Sequence, residues 1–500
     1  MSKTIFISTS IPYVNAAPHI GHALEFVQAD AVARFRRLRG DAVFFLTGTD
    51  DNALKNVTAA EEAKVPVKKW VDAHAGRFEE LGKRLGISND DFICTASDER
   101  HASGAQKLWS ACLASRDPAQ PDRPSDIYKK NYKGLYCLGC EEFKQQAELK
   151  NGECVEHPGK KLELVEEENY FFRLSRYQKE LEELIVSDKL RIVPESRKNE
   201  TLAFIRGGLM DFSISRSRER AKDWGIPVPG DDSQMMYVWF DALSNYINAL
   251  GYAKESANFE RYWRNGDERL HVIGKGINRF HTIYWPAMLL SARVTLPTCV
   301  FIHGYVTVNG EKMSKTTGNV VDPETFIKIY GTDAVRYYLL REIPPFEDGD
   351  FSEQKFVTAY NAGLANGLGN FAARVLTLGA KMGDLAHRLT NGDIEDGVKE
   401  AVAVARVATN DYTSRFRFSD AMNAIWNLIA FGDKYVNDHK PWEKKDDVKT
   451  IVNAVTILDN IAALLQPFLP ATAARITACI AWSADGSARI TRGEVLFPRK

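Results

Sequence analysis

A parallel α/β sheet domain, split by a cysteine-bearing insertion and followed by an all-α helical bundle, is the fold this 500-residue chain predicts. Three observations predict it. Short apolar runs that stop at Gly and polar residues alternate with helical stretches in two separate parts of the chain. A turn-rich segment with clustered cysteines lies between those parts. After about Phe351 the strand signals give way to helical periodicity. At about 100–200 residues per domain the length calls for three to four domains. The composition is that of a folded globular chain, 44% hydrophobic and 26% charged, with no tract that suggests disorder. Sixty-five basic against 66 acidic residues give a net charge of -1, so overall charge supports neither a nucleic-acid nor a membrane partner. No apolar run of about 18 residues occurs and no apolar leader follows Met1-Ser2-Lys3-Thr4, so the expectation is a cytoplasmic protein without a membrane partner.

The elements follow in order. Thr4–Ser8 is a short β-branched run, then comes a Pro- and Gly-punctuated loop, then a helical pattern from Ala23 to Arg37. Ala42–Leu46 is a second strand ending at Thr47-Gly48-Thr49-Asp50-Asp51, and helices continue to about Ala114. The same grammar returns in Leu270–Gly274 and Cys299–Gly304. In open α/β sheets ligands bind beyond the carboxyl ends of the strands, so these loop beginnings are where chemistry should collect. The resulting division is 1–115 and 226–300 for the two halves of the sheet domain, 116–225 for the insertion, 301–350 for a linking region and 351–500 for the bundle. In the last part Leu364, Leu368, Phe371, Val375 and Leu378, and again Ile451, Val455, Leu458, Ile461 and Leu465, recur at helical spacing.

Cys137-Leu138-Gly139-Cys140 and Cys154-Val155-Glu156-His157 are two ligand pairs, each with two residues between its members. A tetrahedral zinc takes four sulfur or imidazole ligands, and each pair can present two from one tight turn. With all four ligands from protein there is no open coordination position, so the expected zinc is structural. Lys150-Asn151-Gly152 reads as a hairpin-like turn before the second pair. Seven cysteines are too few for a disulfide scaffold, and Cys94, Cys112, Cys299 and Cys479 read as small core residues.

The first strand leads through Ser10-Ile11-Pro12-Tyr13 to His19-Ile20-Gly21-His22 and the helix. Two imidazoles flanking a glycine at a helix N-terminus set hydrogen-bond donors beside backbone N–H groups and a positive dipole end, which suits a triphosphate. Far downstream, Lys312-Met313-Ser314-Lys315-Thr316 supplies two ammonium groups in a hydroxyl-rich loop, able to neutralise charge on a departing pyrophosphate. Taken singly, the first motif can be a helix cap and the second a solvated basic loop.

Together they carry a resemblance. The chain is similar to the class I aminoacyl-tRNA synthetases, whose signatures are His-Ile-Gly-His after the first strand and Lys-Met-Ser-Lys-Ser after the last, with Thr316 here in the final place. Within that class, the order and size of its parts and the cysteine pairs resemble the methionyl-tRNA synthetases, from about Thr4 to at least Gln466. The resemblance implies a Rossmann-like catalytic domain, an anticodon-binding helical bundle, and ligase chemistry on ATP with Mg²⁺, L-methionine and tRNA(Met). It places ATP on His19, Gly21, His22, Glu25, Gly274, Lys312 and Lys315. It places methionine on Ser10, Ile11, Tyr13, Asp50, Trp239, Ala242, Tyr246, Ile277 and His281, with Asp50 holding the ammonium and Arg216 paired with it. It implies that Asn370, Arg374 and Trp442 read the anticodon. Polarizable sulfur against aromatic faces is the chemistry such a methionine pocket needs.

Read without that resemblance, Asp50 is equally a helix cap, Arg216 a surface ion pair, and Trp442 bundle core. Two departures stand out. The family commonly reads Asp-Glu-His-Gly where this chain has Asp50-Asp51-Asn52-Ala53, and Asp where it has Gly276, which removes a carboxylate from beside the ATP ribose. Two further readings stay open: another class I synthetase, such as one for cysteine, and a zinc-containing tRNA-binding protein without catalysis. A monomer is expected.

Overall fold

The computed structural model describes residues 2–115, 124–137, 142–144, 149–155, 159, 162–313, 318–382, 394–444, 447–484 and 488–500. By their contacts they form two compact units, one of Met1–Pro18, Gly40–Glu80 and Asn89–Ile302, the other of His19–Arg39, Leu81–Ser88 and His303–Lys500.

The first unit is organised by a six-stranded sheet. Its order in space is Asp91–Cys94, Ala42–Thr49, Thr4–Thr9, Glu268–Gly274, Cys299–His303 and Arg191–Val193. Thr4–Thr9 pairs in parallel with both neighbours, Ile7 standing opposite Phe45 on one side and Leu270 on the other. Phe6, Ile7, Phe45 and Leu46 are completely buried, so these strands read as continuous apolar runs rather than alternating ones, as expected where helices cover both faces. The sixth strand corrects the expected boundaries. Arg191–Val193 lies inside the span 116–225 yet pairs in parallel with Cys299–Phe301, so the chain has re-entered the main sheet well before residue 225. A three-residue strand is too short to leave a period in the sequence.

The remainder of that span holds an antiparallel sheet in the order Phe212–Ser213, Glu163–Phe172, Ile127–Cys137 and Glu142–Lys144. Leu149–Lys150 and Glu153–Cys154 form the expected hairpin. Its two turn residues, Asn151 and Gly152, have φ of 54° and 79°, which few residues but Asn and Gly adopt cheaply.

The second unit contains the helix Ile20–Leu38, a small sheet of Val306–Val308, Glu311–Lys312 and Gly349–Phe351, and the C-terminal helices. Leu364, Leu368, Phe371 and Val375 are fully buried, as are Leu458, Ile461 and Leu465. Leu378 departs from the predicted stripe: it is half-buried, and Leu376 takes the inside place. The region expected to be all-α also ends in a short hairpin, Ile480–Trp482 with Ala488–Ile490, again too short to register as a period.

One polar cluster is built into this apolar interior. Asp30 on the first helix and Arg336 are both 0% exposed and meet at 2.7 Å. Asp30 also accepts from Arg34 Nε, Ser88 N–H and Ser88 Oγ–H, at 2.7, 2.7 and 2.6 Å. Arg336 donates to the carbonyls of Phe468, Leu85 and Pro467 at 2.7, 3.2 and 3.1 Å. Burial alone would push the Asp30 carboxyl up, but the two guanidinium groups and Ser88 outweigh it and hold it below the usual range.

Candidate active site

In the first unit the carboxyl ends of Thr4–Thr9 and Glu268–Gly274 lie side by side, and the strand order runs away from them in opposite directions. That is the position where open α/β sheets bind ligands. Ser10 N–H donates to Val272 O at 3.1 Å, and Asp50 N–H to Pro12 O at 2.9 Å, so the loop after the first strand is pinned to both neighbours. Asp50 also forms an isolated bridge with Tyr13 and is 2% exposed.

An aromatic slot stands beside this loop. Trp239 lies face to face with Phe280, centroids 3.7 Å apart at 7°, and meets Tyr13 edge-on at 6.2 Å. Tyr246 O–H donates to His281 Nε2 at 2.7 Å, while His281 Nδ1 faces the carbonyl of Ile277 at 3.0 Å. A carbonyl only accepts, so Nδ1 carries the ring proton and Nε2 takes the tyrosine's. Ser8 Oγ and Trp285 Nε1 fix His271 behind this pair, at 2.8 and 3.3 Å, and burial holds His271 neutral, well below its usual pKa. Ala242 is buried, and Ile11 and Ile277 are half-buried. Trp239 Nε1 is buried with no acceptor among the described residues.

Arg216, from the short strand Ser215–Ser217, is 7% exposed and lies 5.1 and 5.0 Å from the ring centroids of Tyr136 and Tyr237. It lines a cavity of about 80 Å³ together with Arg220 and Arg279. Gly274 ends its strand and caps the turn Lys275–Ile277, in which Gly276 is exposed.

Asp51 is the strained acid of this unit. It is 2% exposed, its Oδ1 has no hydrogen-bond partner among the described residues, and burial pushes its carboxyl up to about 7, only partly offset by Thr49 and the Ala96 N–H. A carboxyl raised in the folded state gives up its proton later than the unfolded chain does, so stability falls as pH rises from about 4 through 7. Asp51→Asn should therefore raise stability by on the order of 4 kcal/mol at pH 8.5 and by less than half as much at pH 5, read from urea unfolding at the two pH values.

In the second unit the helix Ile20–Leu38 is capped by its own histidines. His19 Nδ1 accepts from Gly21 N–H and His22 Nδ1 accepts from His19 N–H, both at 3.1 Å, and the rings stack at 3.8 Å. Since both Nδ1 atoms accept, each ring carries its proton on Nε2. Burial lowers His19 to about 4 and His22 well below the ordinary value, so both are neutral donors at pH 7. Gly21 leaves little room for a side chain. A Cβ there would stand 3.0 Å from the His19 ring and 3.5 Å from the Met313 methyl. Glu25, one turn on, is buried and meets His303 Nε2 at 3.0 Å. Lys312 is exposed, in a hairpin strand whose turn residues Asn309 and Gly310 have φ of 54° and 75°, and its ammonium lies 5.0 Å from the Tyr305 ring centroid. Lys315 lies outside the described residues.

Of the metal candidates, Cys137 and Cys154 are 1% exposed at strand ends, while Cys140 and His157 lie outside the described residues. In the bundle, Asn370 and Arg374 are one turn apart on the helix Asn370–Lys381. Arg374 is held by Asp433 at 3.0 Å and Asn437 at 2.8 Å, with its guanidinium 5.7 Å from the centroid of the Trp442 ring. Trp442 is 52% exposed, which overturns its alternative reading as core. Its position follows from Lys440, left-handed at φ 47°, and Pro441, which together end the helix Phe418–His439.

A family model described as tRNA synthetases class I (M) matches residues 5–376. A methionine–tRNA ligase of Brucella suis is 40% identical over 96% of this chain and 92% of its own length. The chain belongs to the methionine–tRNA ligase family. Its relative from Thermotoga maritima is 40% identical over 94% of this chain and 74% of its own. A second family model, anticodon-binding domain of tRNA ligase, matches residues 398–491. Mycobacterium tuberculosis methionyl-tRNA synthetase in complex with methionyl-adenylate superposes with a TM-score of 0.87 at 36% identity, covering 100% of this chain and 99% of that one. The parallel sheet is thus that of a class I ligase catalytic domain, and the C-terminal helices form its anticodon-binding domain.

Residues that sequence reasoning passed over in this ligase are Phe280, His271, Asp241 and His303. Phe280 adjoins His281, and a histidine amid Leu270, Val272 and Ile273 in a buried strand was a signal of its own.

Proposed function

We propose that this ligase activates L-methionine with ATP, releasing pyrophosphate, and transfers the methionyl group from the adenylate to the 3′ end of tRNA(Met). The observation that carries this is the slot of Tyr13, Trp239, Phe280, Tyr246 and His281 beside the buried Asp50, in a chain of this family. A thioether gains from such ring contacts, and Asp50 supplies a carboxylate for the ammonium group. The methionine carboxylate is already a nucleophile, so no strong general base is needed. It attacks the α-phosphorus in line with the departing pyrophosphate. His19 and His22 give neutral N–H donors to the phosphates, Lys312 and Lys315 give positive charge to the pyrophosphate, and Mg²⁺ accompanies ATP. Exchange of labelled pyrophosphate into ATP tests the reading, run in parallel with methionine, cysteine, isoleucine, leucine and valine. Exchange with methionine alone is expected, and none with methionine overturns it.

Cys137, Cys140, Cys154 and His157 would hold a structural zinc. Both described thiols are buried, Cys137 at the end of its strand and Cys154 on the hairpin that turns at Asn151-Gly152, and three sulfurs with one imidazole are a zinc donor set. The metal would crosslink the cysteine-bearing turns of the insertion. One zinc per chain by elemental analysis, and a melting temperature lowered by a strong chelator, are expected; a zinc-free chain with the same melting temperature is the contrary result.

Arg374, Asn370 and Trp442 would bind the anticodon, with the Trp442 ring as a stacking face. Base stacking is worth about 1–3 kcal/mol, so Trp442→Ala should lower kcat/KM for tRNA roughly 5- to 150-fold and leave pyrophosphate exchange unchanged. We read the working form as a cytoplasmic monomer, since one chain carries every group named above. Gel filtration checks that reading.

A further inference from the structure

Behind the aromatic slot, all within the first unit, lies a polar network that the reaction does not use directly. Asn52 is its coupler. Its backbone N–H donates to Asp50 Oδ1 at 3.2 Å, and its side-chain amide donates to Asp241 Oδ2 at 2.8 Å. The other oxygen of Asp241 receives His101 Nε2 at 2.5 Å. A carboxylate only accepts, so His101 carries a proton on Nε2 aimed at Asp241, and its Nδ1 lies 3.3 Å from the Asn248 amide nitrogen. Asn248 donates to the His101 carbonyl at 3.1 Å and to Ser244 Oγ at 2.7 Å, and Ser244 Oγ–H returns to the Asp241 carbonyl at 2.6 Å. His101, Asp241, Ser244 and Asn248 are 0% exposed and Asn52 is 8% exposed. Gly104 makes room for this arrangement, since a Cβ there would overlap Asn248 Oδ1 at 1.9 Å.

The network joins two walls of one site. Asp50 and Asn52 follow the strand Ala42–Thr49, while Asp241 sits in the helix Val238–Leu243, which also carries Trp239 and Ala242. Charge-assisted hydrogen bonds are short and directional, and at full burial neither partner can exchange its bond for water. We propose that Asn52, Asp241 and His101 are positioning residues, a clasp that fixes the separation between the ammonium-binding carboxylate of Asp50 and the aromatic wall that receives the side chain. The clasp rests on the reading of Asp50 given under the proposed function. It sets amino-acid affinity and leaves phosphate chemistry to other groups.

The polarity of the clasp can be reversed. Asn52→Asp puts carboxylate against carboxylate. In the double variant Asn52→Asp with Asp241→Asn an amide again faces a carboxylate, and His101 again donates to the residue at 241. Methionine-dependent pyrophosphate exchange should show a KM for methionine raised at least ~10-fold in Asn52→Asp, with kcat changed less than ~3-fold, and KM within ~3-fold of the unmodified chain in the double variant. A merely structural role would move melting temperatures without this split and rescue. An unchanged KM in Asn52→Asp overturns the clasp, as does a folded double variant whose KM stays high. If Asn52→Asp does not fold, Asn52→Ala takes its place, with the same rise expected and the same unchanged KM as the contrary result. Absence of exchange in the unmodified chain overturns the underlying reading and the clasp with it.

Discussion

His22→Ala should lower kcat for methionine-dependent pyrophosphate exchange roughly 10²- to 10³-fold, the loss that follows removal of one fixed donor from a developing charge. The donor is fixed because His22 Nδ1 is occupied by His19 N–H, which leaves Nε2–H as the only proton the ring can offer. The His19 ring stacks on it, so neither imidazole swings freely. KM for methionine should change little, because the donor acts on phosphate. The substitution also breaks the reciprocal cap at the helix start, which costs about 0.5–2 kcal/mol of stability. His22→Asn separates the two effects: its side-chain oxygen can still accept from His19 N–H and recover stability, while its shorter reach leaves the rate low. Burial sets the pH behaviour. With His19 near 4 and His22 well below its ordinary value, neither histidine gains a proton between pH 8 and 6, and kcat/KM for ATP should show no limb from them there. A base depressed in the folded state stabilises the fold above its unfolded value, near 6.5, and that stability drains away as pH falls towards 4.

Arg336→Met should destabilise the protein by about 3–5 kcal/mol, because it leaves Asp30 buried and charged without its partner. The expected readout is a lower urea midpoint with an unchanged slope. The cost is not that of a surface ion pair, since neither side chain reaches water and three backbone carbonyls lose their donor in the same step. Asp30→Asn is the informative companion. It keeps an acceptor for Ser88 and removes the charge, so it should cost less than Arg336→Met at pH 7, and the gap should narrow as pH falls through the carboxylate range. The first helix carries both Asp30 and His22, so Arg336→Met should also weaken ATP binding where the protein still folds.

Much of this site was legible because its residues act through local spacing. The histidine pair, the glycine between them and the lysine pair of the later loop are contiguous signals, and each serves a helix or hairpin terminus that its own neighbours define. The alternating buried strands were legible for the same reason. What the sequence hid is non-local. Nothing near Asn52 shows that its amide will meet Asp241, 189 positions away. Nothing near Arg374 shows that Asp433 and Asn437 will hold it. The tautomers of His22, His101 and His281 are likewise set by partners, and the strand Arg191–Val193 is visible only through Cys299–Phe301.

That strand has a consequence for engineering. Because the chain rejoins the main sheet at Arg191, the portion of the insertion that can be exchanged between relatives is shorter than its sequence extent. A graft that replaced all of 116–225 would strip the sheet of its edge and leave the N–H and C=O groups of Cys299–Phe301 without their ladder, an open template for aggregation. Junctions placed at Ser125 and ahead of Leu190 would keep the edge native and confine the swap to the cysteine-bearing part.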